Sequence, residues 1–167
     1  MWMPSLLGFW EPELRRGLIA LACVMAIGCA ALSASAESKR PCPALTEDVA
    51  DKKFKPGQIW SYETRPGESN STLTILRIDS GAKIGIVIHV RVDGLKLRRQ
   101  QGGTSPSIEH MPFSRDAMLL SVEHLLKSDQ PLPTLEGLER WHSDCGGVYT
   151  ISVRDAVEVA EKTFNAR

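Results

Sequence analysis

Apolar and polar positions alternate most strictly between Thr72 and Arg98 (TLTILRIDSGAKIGIVIHVRVDGLKLR). From Lys83 to Val92 every even position is apolar (Ile84, Ile86, Ile88, Val90, Val92), whereas the odd positions are Lys83, Gly85, Val87, His89 and Arg91. Side chains alternate across a strand, so this period of two predicts a strand with its even face buried. Asp93-Gly94 has the composition of a two-residue hairpin turn. Such a turn sets Val92 opposite Leu95, Arg91 opposite Lys96, Val90 opposite Leu97 and His89 opposite Arg98, so Leu95 and Leu97 join the apolar face. The preceding strand, Thr72 to Asp79, connects through Ser80-Gly81-Ala82. A three-residue loop pairs Asp79 with Lys83 and Ile78 with Ile84, placing Leu76 and Ile78 on the same face. Leu73, Ile75 and Val87 then fall on the opposite face, which calls for partial cover there too.

Weaker patterns flank this stretch. Gln58 to Arg65 alternates with Trp60 and Tyr62 on one side and reads as a strand entered through Pro56-Gly57. Gln100 to Pro106 has loop composition, and Ile108 to Phe113 fits a short or edge strand. Ser114 is suited to cap a helix with Asp116 in its first turn, where the helix dipole favours a negative charge. Met118, Val122, Leu125 and Leu126 at helical spacing carry that helix to about Lys127. Leu135 to Ser143 fits either a short helix or an irregular segment. Val148 to Val153 reads as a last strand, and Val153, Val157, Ala160 and Phe164 form the stripe of a terminal helix. The expected fold is α+β: an antiparallel sheet of four to five strands packed with two helices, after an N-terminal signal peptide.

Arg15-Arg16 precedes the apolar run Gly17 to Leu32, and Ala34 and Ala36 form a small-x-small site, which predicts a secretory signal with cleavage after Ala36. The expected organisation is a signal at 1–36, a partly irregular segment at 37–57 and a single α+β domain at 58–167. The protein is therefore expected to be exported, periplasmic or secreted. Ala26-Ile27-Gly28-Cys29 resembles a lipobox, so the alternative is a lipoprotein anchored through Cys29. Membrane attachment is expected only through that lipid or through a retained signal.

Removal of the signal leaves Cys42 and Cys145, and a lone pair of cysteines in an oxidising compartment predicts a disulfide. The competing reading makes Cys145 a nucleophile beside His142 and Asp144 in a small hydrolase. No zinc or phosphate-binding motif is present, the four histidines are not at metal spacing, and no cofactor or metal is expected. Twenty basic and 20 acidic residues balance, which argues against a nucleic-acid binder, since phosphate neutralisation needs a basic excess. One constellation stands out. The Asp93-Gly94 register gathers Lys83, His89, Arg91, Lys96 and Arg98 on one face, with like charges opposed across the pair, an arrangement that costs stability unless acids or an anionic partner neutralise it. The expected partner is an acidic protein surface or an envelope polyanion; the rival reading is a solvated face that protects a sheet edge.

The run from Phe54 to Glu68 (FKPGQIWSYETRPGE), followed by Ser71-Thr72-Leu73-Thr74-Ile75 and Val92-Asp93-Gly94-Leu95, is similar to a group of small bacterial proteins of unknown function. The resemblance implies a bacterial origin and a single domain, and brings no activity or catalytic residues. The leading expectation is a non-enzymatic binding or accessory module of the cell envelope, with inhibitors and immunity-type partners in that class. The alternatives are the His142/Cys145 hydrolase and a structural periplasmic component.

Overall fold

The computed structural model of the protein describes residue 42, residues 44–100 and residues 102–166. These belong to one compact unit, Lys39–Arg167. The expected signal segment, its expected cleavage site and Cys29 lie outside the described residues. Among the described residues no helix is long and apolar enough to cross a membrane.

The unit is α+β. Its strands are β1 (Leu45–Thr46), β2 (Ile59–Tyr62), β3 (Thr72–Gly81), β4 (Gly85–Arg98), β5 (Thr104–Ser114) and β6 (Val122–Lys127), and its helices are α1 (Arg115–Ser121), α2 (Glu136–Ser143) and α3 (Val153–Phe164). The sheet is antiparallel in the order β5-β4-β3-β2-β6, with β1 added to β3. Trp60 and Tyr62 turn inward together as their alternation predicts.

The central strand departs from its expected hairpin. β4 runs straight through Asp93-Gly94, with Asp93 paired to Thr72 on one side and Ser107 on the other. Gly94 has φ +77°, and a side chain there would meet the Asn70 carbonyl oxygen at 3.0 Å. A glycine in the left-handed region serves a bulge as well as a primed turn, so the same dipeptide signals both. Between Asp93 and Leu97 the β4–β5 register shifts, and the strand doubles back later, at the positive-φ pair Gly102 and Gly103. Lys96 and Arg98 therefore do not oppose Arg91 and His89.

The β3–β4 hairpin is also longer than its alternation predicts: Gly81 pairs with Gly85, Asp79 with Val87 and Ile78 with Ile88. Ile78 and Ile75 both sit over alternate residues of β4, Ile88 and Val90, although three positions separate them on β3. The extra residue is a bulge at Leu76–Arg77. It returns Ile75 and Leu73 to the same side as Ile78, whereas the expected alternation sent them to opposite faces. Leu73, Ile75, Ile78, Ile88, Val90 and Val92 form the main core with Ala117 and Met118 of α1 and Val153, Ala156, Val157 and Ala160 of α3.

Two further differences follow, and one open reading is resolved. Ser114 caps α1 by accepting from Ala117 N, as its position predicts, but the helix ends at Ser121. The Ser121 hydroxyl donates to Ala117 O and accepts from Val153 N, and the chain then pairs with β2 as β6, leaving Leu125 and Leu126 about half exposed. Tertiary pairing overrides helical spacing here. Leu135 to Ser143, open between two readings, contains α2. The expected strand over Val148–Val153 contracts to a single parallel bridge between Tyr149 and Phe113, after which Ser152 caps α3.

Candidate functional site

The second face of the sheet carries the most unusual chemistry. Pairing of Arg77 with His89 and of Asp79 with Val87 sets these four side chains on that face. A second bulge completes the group. Val90 pairs with Met111 and Val92 with Ile108, so β5 spends three residues where β4 spends two, and the insertion falls at Glu109–His110. Bulges re-aim side chains, and here His110 comes alongside His89: Nδ1 of His89 lies 2.9 Å from Nε2 of His110, with the rings 5.1 Å apart and 21° from parallel. Helix α2 closes over the pair. Trp141 meets the His89 ring edge-on at 4.8 Å, and Gly137 permits close approach, since a Cβ there would lie 2.7 Å from His110 Cβ.

Asp79 and His89 are both 0% exposed. Asp79 Oδ2 accepts from Nη2 and Nε of Arg77 at 2.7 and 3.1 Å, and Oδ1 accepts from the backbone of Asp48 at 3.2 Å. A buried carboxylate is tolerated when so compensated. His89 Nε2 stands 3.1 Å from the same Oδ2, inside ion-pair range but without hydrogen-bond alignment. Burial pushes His89 down to about 4; Asp79 opposes that shift and Arg77 reinforces it. Burial, then repulsion from His89 and Arg77, pushes His110 down to about 3. Both rings are neutral near pH 7.

A carboxylate only accepts, so Asp79 favours the tautomer of His89 with its hydrogen on Nε2, the nitrogen facing it. In that tautomer His89 Nδ1 accepts from His110 Nε2, and His110 Nδ1 is a bare lone pair. The chain Arg77–Asp79–His89–His110 runs from the sheet interior to a half-buried imidazole at the wall of two adjoining cavities.

The larger cavity, about 940 Å3, is bounded by the end of β4, β5, the first half of α2 and the end of α3. Arg98, Arg99 and Arg140 line it together with His110. Among the described residues neither Arg98 nor Arg140 has a carboxylate within ion-pair distance, and Arg99 donates from Nη2 to the Ser105 hydroxyl at 3.1 Å. Glu109, the carboxylate on this wall, is engaged by Arg91. Asn165, the C-cap of α3, donates to the Arg98 carbonyl, and the Arg98 N–H donates to Glu161, which fixes the strand end beside the helix.

The five residues expected to share a cationic face are dispersed. Lys83 lies in the exposed β3–β4 turn; His89 is in the core; Arg91 is paired with Asp93 and Glu109; Lys96 and Arg98 are exposed near the end of β4. Of the five, Arg98 reaches the cavity, where it meets Arg99 and, from α2, Arg140. Because β4 runs on through Asp93-Gly94, Lys96 and Arg98 do not lie opposite Arg91 and His89 as the expected hairpin would set them, although Leu95 and Leu97 still join the core. Arg140 and His110 have no local sequence signal, because they join the site through the packing of α2 on β5.

Cys42 and Cys145 form a disulfide, with Cα atoms 5.1 Å apart. His142, Asp144 and Cys145 lie together at the C-terminal end of α2, where Asp144 is the C-cap and Cys145 has φ +52°. A sulfur engaged in a disulfide offers no thiolate for attack. Among the described residues no group of three or more His, Cys, Asp or Glu side chains is arranged to hold a metal ion. Comparison with protein-family models, with curated proteins and with solved structures found no match.

Proposed function

We propose that this chain is an exported, non-enzymatic binding module of the cell envelope whose ligand is anionic. The observation that carries the reading is the convergence of Arg98, Arg99 and Arg140 on one cavity, with Arg98 and Arg140 lacking an ion-pair partner among the described residues. Guanidinium groups offer five donors in a planar fork that matches carboxylate and phosphate oxygens. Three of them lining one concavity would offer an entering anion several charge-assisted donors. Export is supported by the charged-then-apolar N-terminal pattern, the small-x-small site at Ala34–Ala36 and the cysteine pairing. The hydrolase reading loses weight with Cys145 engaged.

Calorimetric titration of the disulfide-bonded protein with pyrophosphate and with long-chain polyphosphate tests the proposal. Saturable binding is expected that weakens about tenfold or more in Arg98→Glu/Arg140→Glu, equivalent to the loss of one charge-assisted contact. Equal affinity of the variant and the unaltered protein for both probes would sink it. Fractionation of producing cells tests export: the protein should appear outside the cytoplasm with no free thiol.

A further inference from the structure

We infer that the ligand of this site is a small anionic amphiphile, whose acidic head enters the arginine-lined cavity and whose apolar tail enters a second cavity beside it. The inference rests on the anion-binding reading and specifies what else the ligand must carry. The second cavity, about 500 Å3, is lined by Met111, Trp141, Val148, Tyr149 and Ala160, and no charged residue lines it. Ile108, His110 and Phe164 line both cavities, so the two adjoin along the outer edge of β5. Each volume falls in the range of small-molecule sites, which are mainly apolar with a few polar groups that fix orientation.

Phe164 sharpens the case. It belongs by spacing to the buried stripe of α3, yet it is 56% exposed where Val153, Val157 and Ala160 are at most 6% exposed. An aromatic ring at the junction of a cationic and an apolar cavity would be covered by a molecule that spans the two. His110 stands at the same junction as a neutral imidazole, able to take a hydrogen bond from a hydroxyl or protonated oxygen of the head group. An extended peptide fits less well. Tyr149 already bonds the outer edge at Pro112 and Ser114, and Pro106 removes a donor near the other end, so little of a β ladder is left to offer.

Titration of the disulfide-bonded protein with n-dodecyl phosphate, inorganic phosphate and n-dodecyl maltoside, each below its micelle concentration, separates the contributions. Dodecyl phosphate should bind one site at least about tenfold tighter than either other probe, the two halves of the molecule adding their contacts. Val148→Ser, which alters the apolar cavity alone, should weaken dodecyl phosphate about tenfold and leave inorganic phosphate unchanged, with an unaltered circular dichroism spectrum as the check on folding. Arg98→Ala/Arg140→Ala should weaken both phosphates. If inorganic phosphate binds as tightly as dodecyl phosphate and depends on the arginines, the anion site stands and the amphiphile falls. If dodecyl maltoside matches dodecyl phosphate, or an acidic peptide without apolar residues binds more tightly, the amphiphile is likewise overturned. Absence of binding by every anionic probe overturns both readings.

Discussion

His89 and His110 are joined ring to ring at 2.9 Å on adjacent strands, and the bulge in β5 that joins them also places one ring in the core and the other at a cavity wall. Both rings stay neutral when folded, with His89 held to about 4 and His110 to about 3, against 6.5 in the unfolded chain. Below pH 6.5 the unfolded state therefore binds protons that the folded state refuses. Stability from the pair is complete above pH 6.5 and falls as the pH drops toward 4, by up to about 1.4 kcal/mol per pH unit for each ring. Urea unfolding at pH 7, 6 and 5 should show the fall, and His110→Gln should make it shallower. Identical slopes for the two proteins would mean that His110 titrates normally.

Asp79 is the hinge of the buried charges, since Arg77 and His89 both face it. Asp79→Ala leaves the Arg77 guanidinium, 13% exposed, without its nearest counter-charge and opens a polar void. Removing one partner of a buried pair costs about 3–5 kcal/mol; the remaining contact with Glu47 should hold the loss toward the lower end. Chemical denaturation measures it. A loss under about 1 kcal/mol would indicate that water reaches the pair.

The Cys42–Cys145 link spans 103 positions. In the chain-entropy model, closing a loop of that length restricts the unfolded state by about 4–5 kcal/mol, less whatever strain the folded state bears. Cys42→Ser/Cys145→Ser, or reduction of the unaltered protein, should lower the thermal midpoint. An unchanged midpoint would show that the N-terminal segment adds nothing once untied.

Gly137→Ala sets two effects against each other. Alanine favours the helix by up to about 1 kcal/mol, but its methyl would lie 2.7 Å from His110 Cβ, too close for either element to stay put. Overpacking of this kind costs about 1–3 kcal/mol, so the net change should be destabilising. Near-ultraviolet circular dichroism should report the shift of Trp141 against His89. A stabilised variant would mean that α2 slides freely over β5.

Regular alternation made the β4 core legible from sequence, as spacing did for the buried turns of α3 and compartment logic did for the cysteine pair. Bulges hid the rest. Leu76–Arg77, Asp93-Gly94 and Glu109–His110 each add residues that a strict period of two cannot register, and each moves a side chain to another face or strand partner. His89 illustrates the consequence: the alternate positions it shares with Lys83 and Arg91 suggest solvent, whereas Asp79 and Trp141, distant in sequence, make a place for it inside. The cavity arginines Arg98 and Arg140 come from different elements, so only the packing of α2 beside the end of β4 brings them together.

The disulfide also sets where mechanical load enters the fold. A pull on any residue before Cys42 reaches the body of the protein at Cys145, directly after α2, before it can strain the two-residue pairing of β1 with β3. Force applied at Cys42 would thus be delivered to the loop behind Trp141, on the wall of the apolar cavity. Reducing that one bond would divert the load to β1, which would peel first and leave α2 slack.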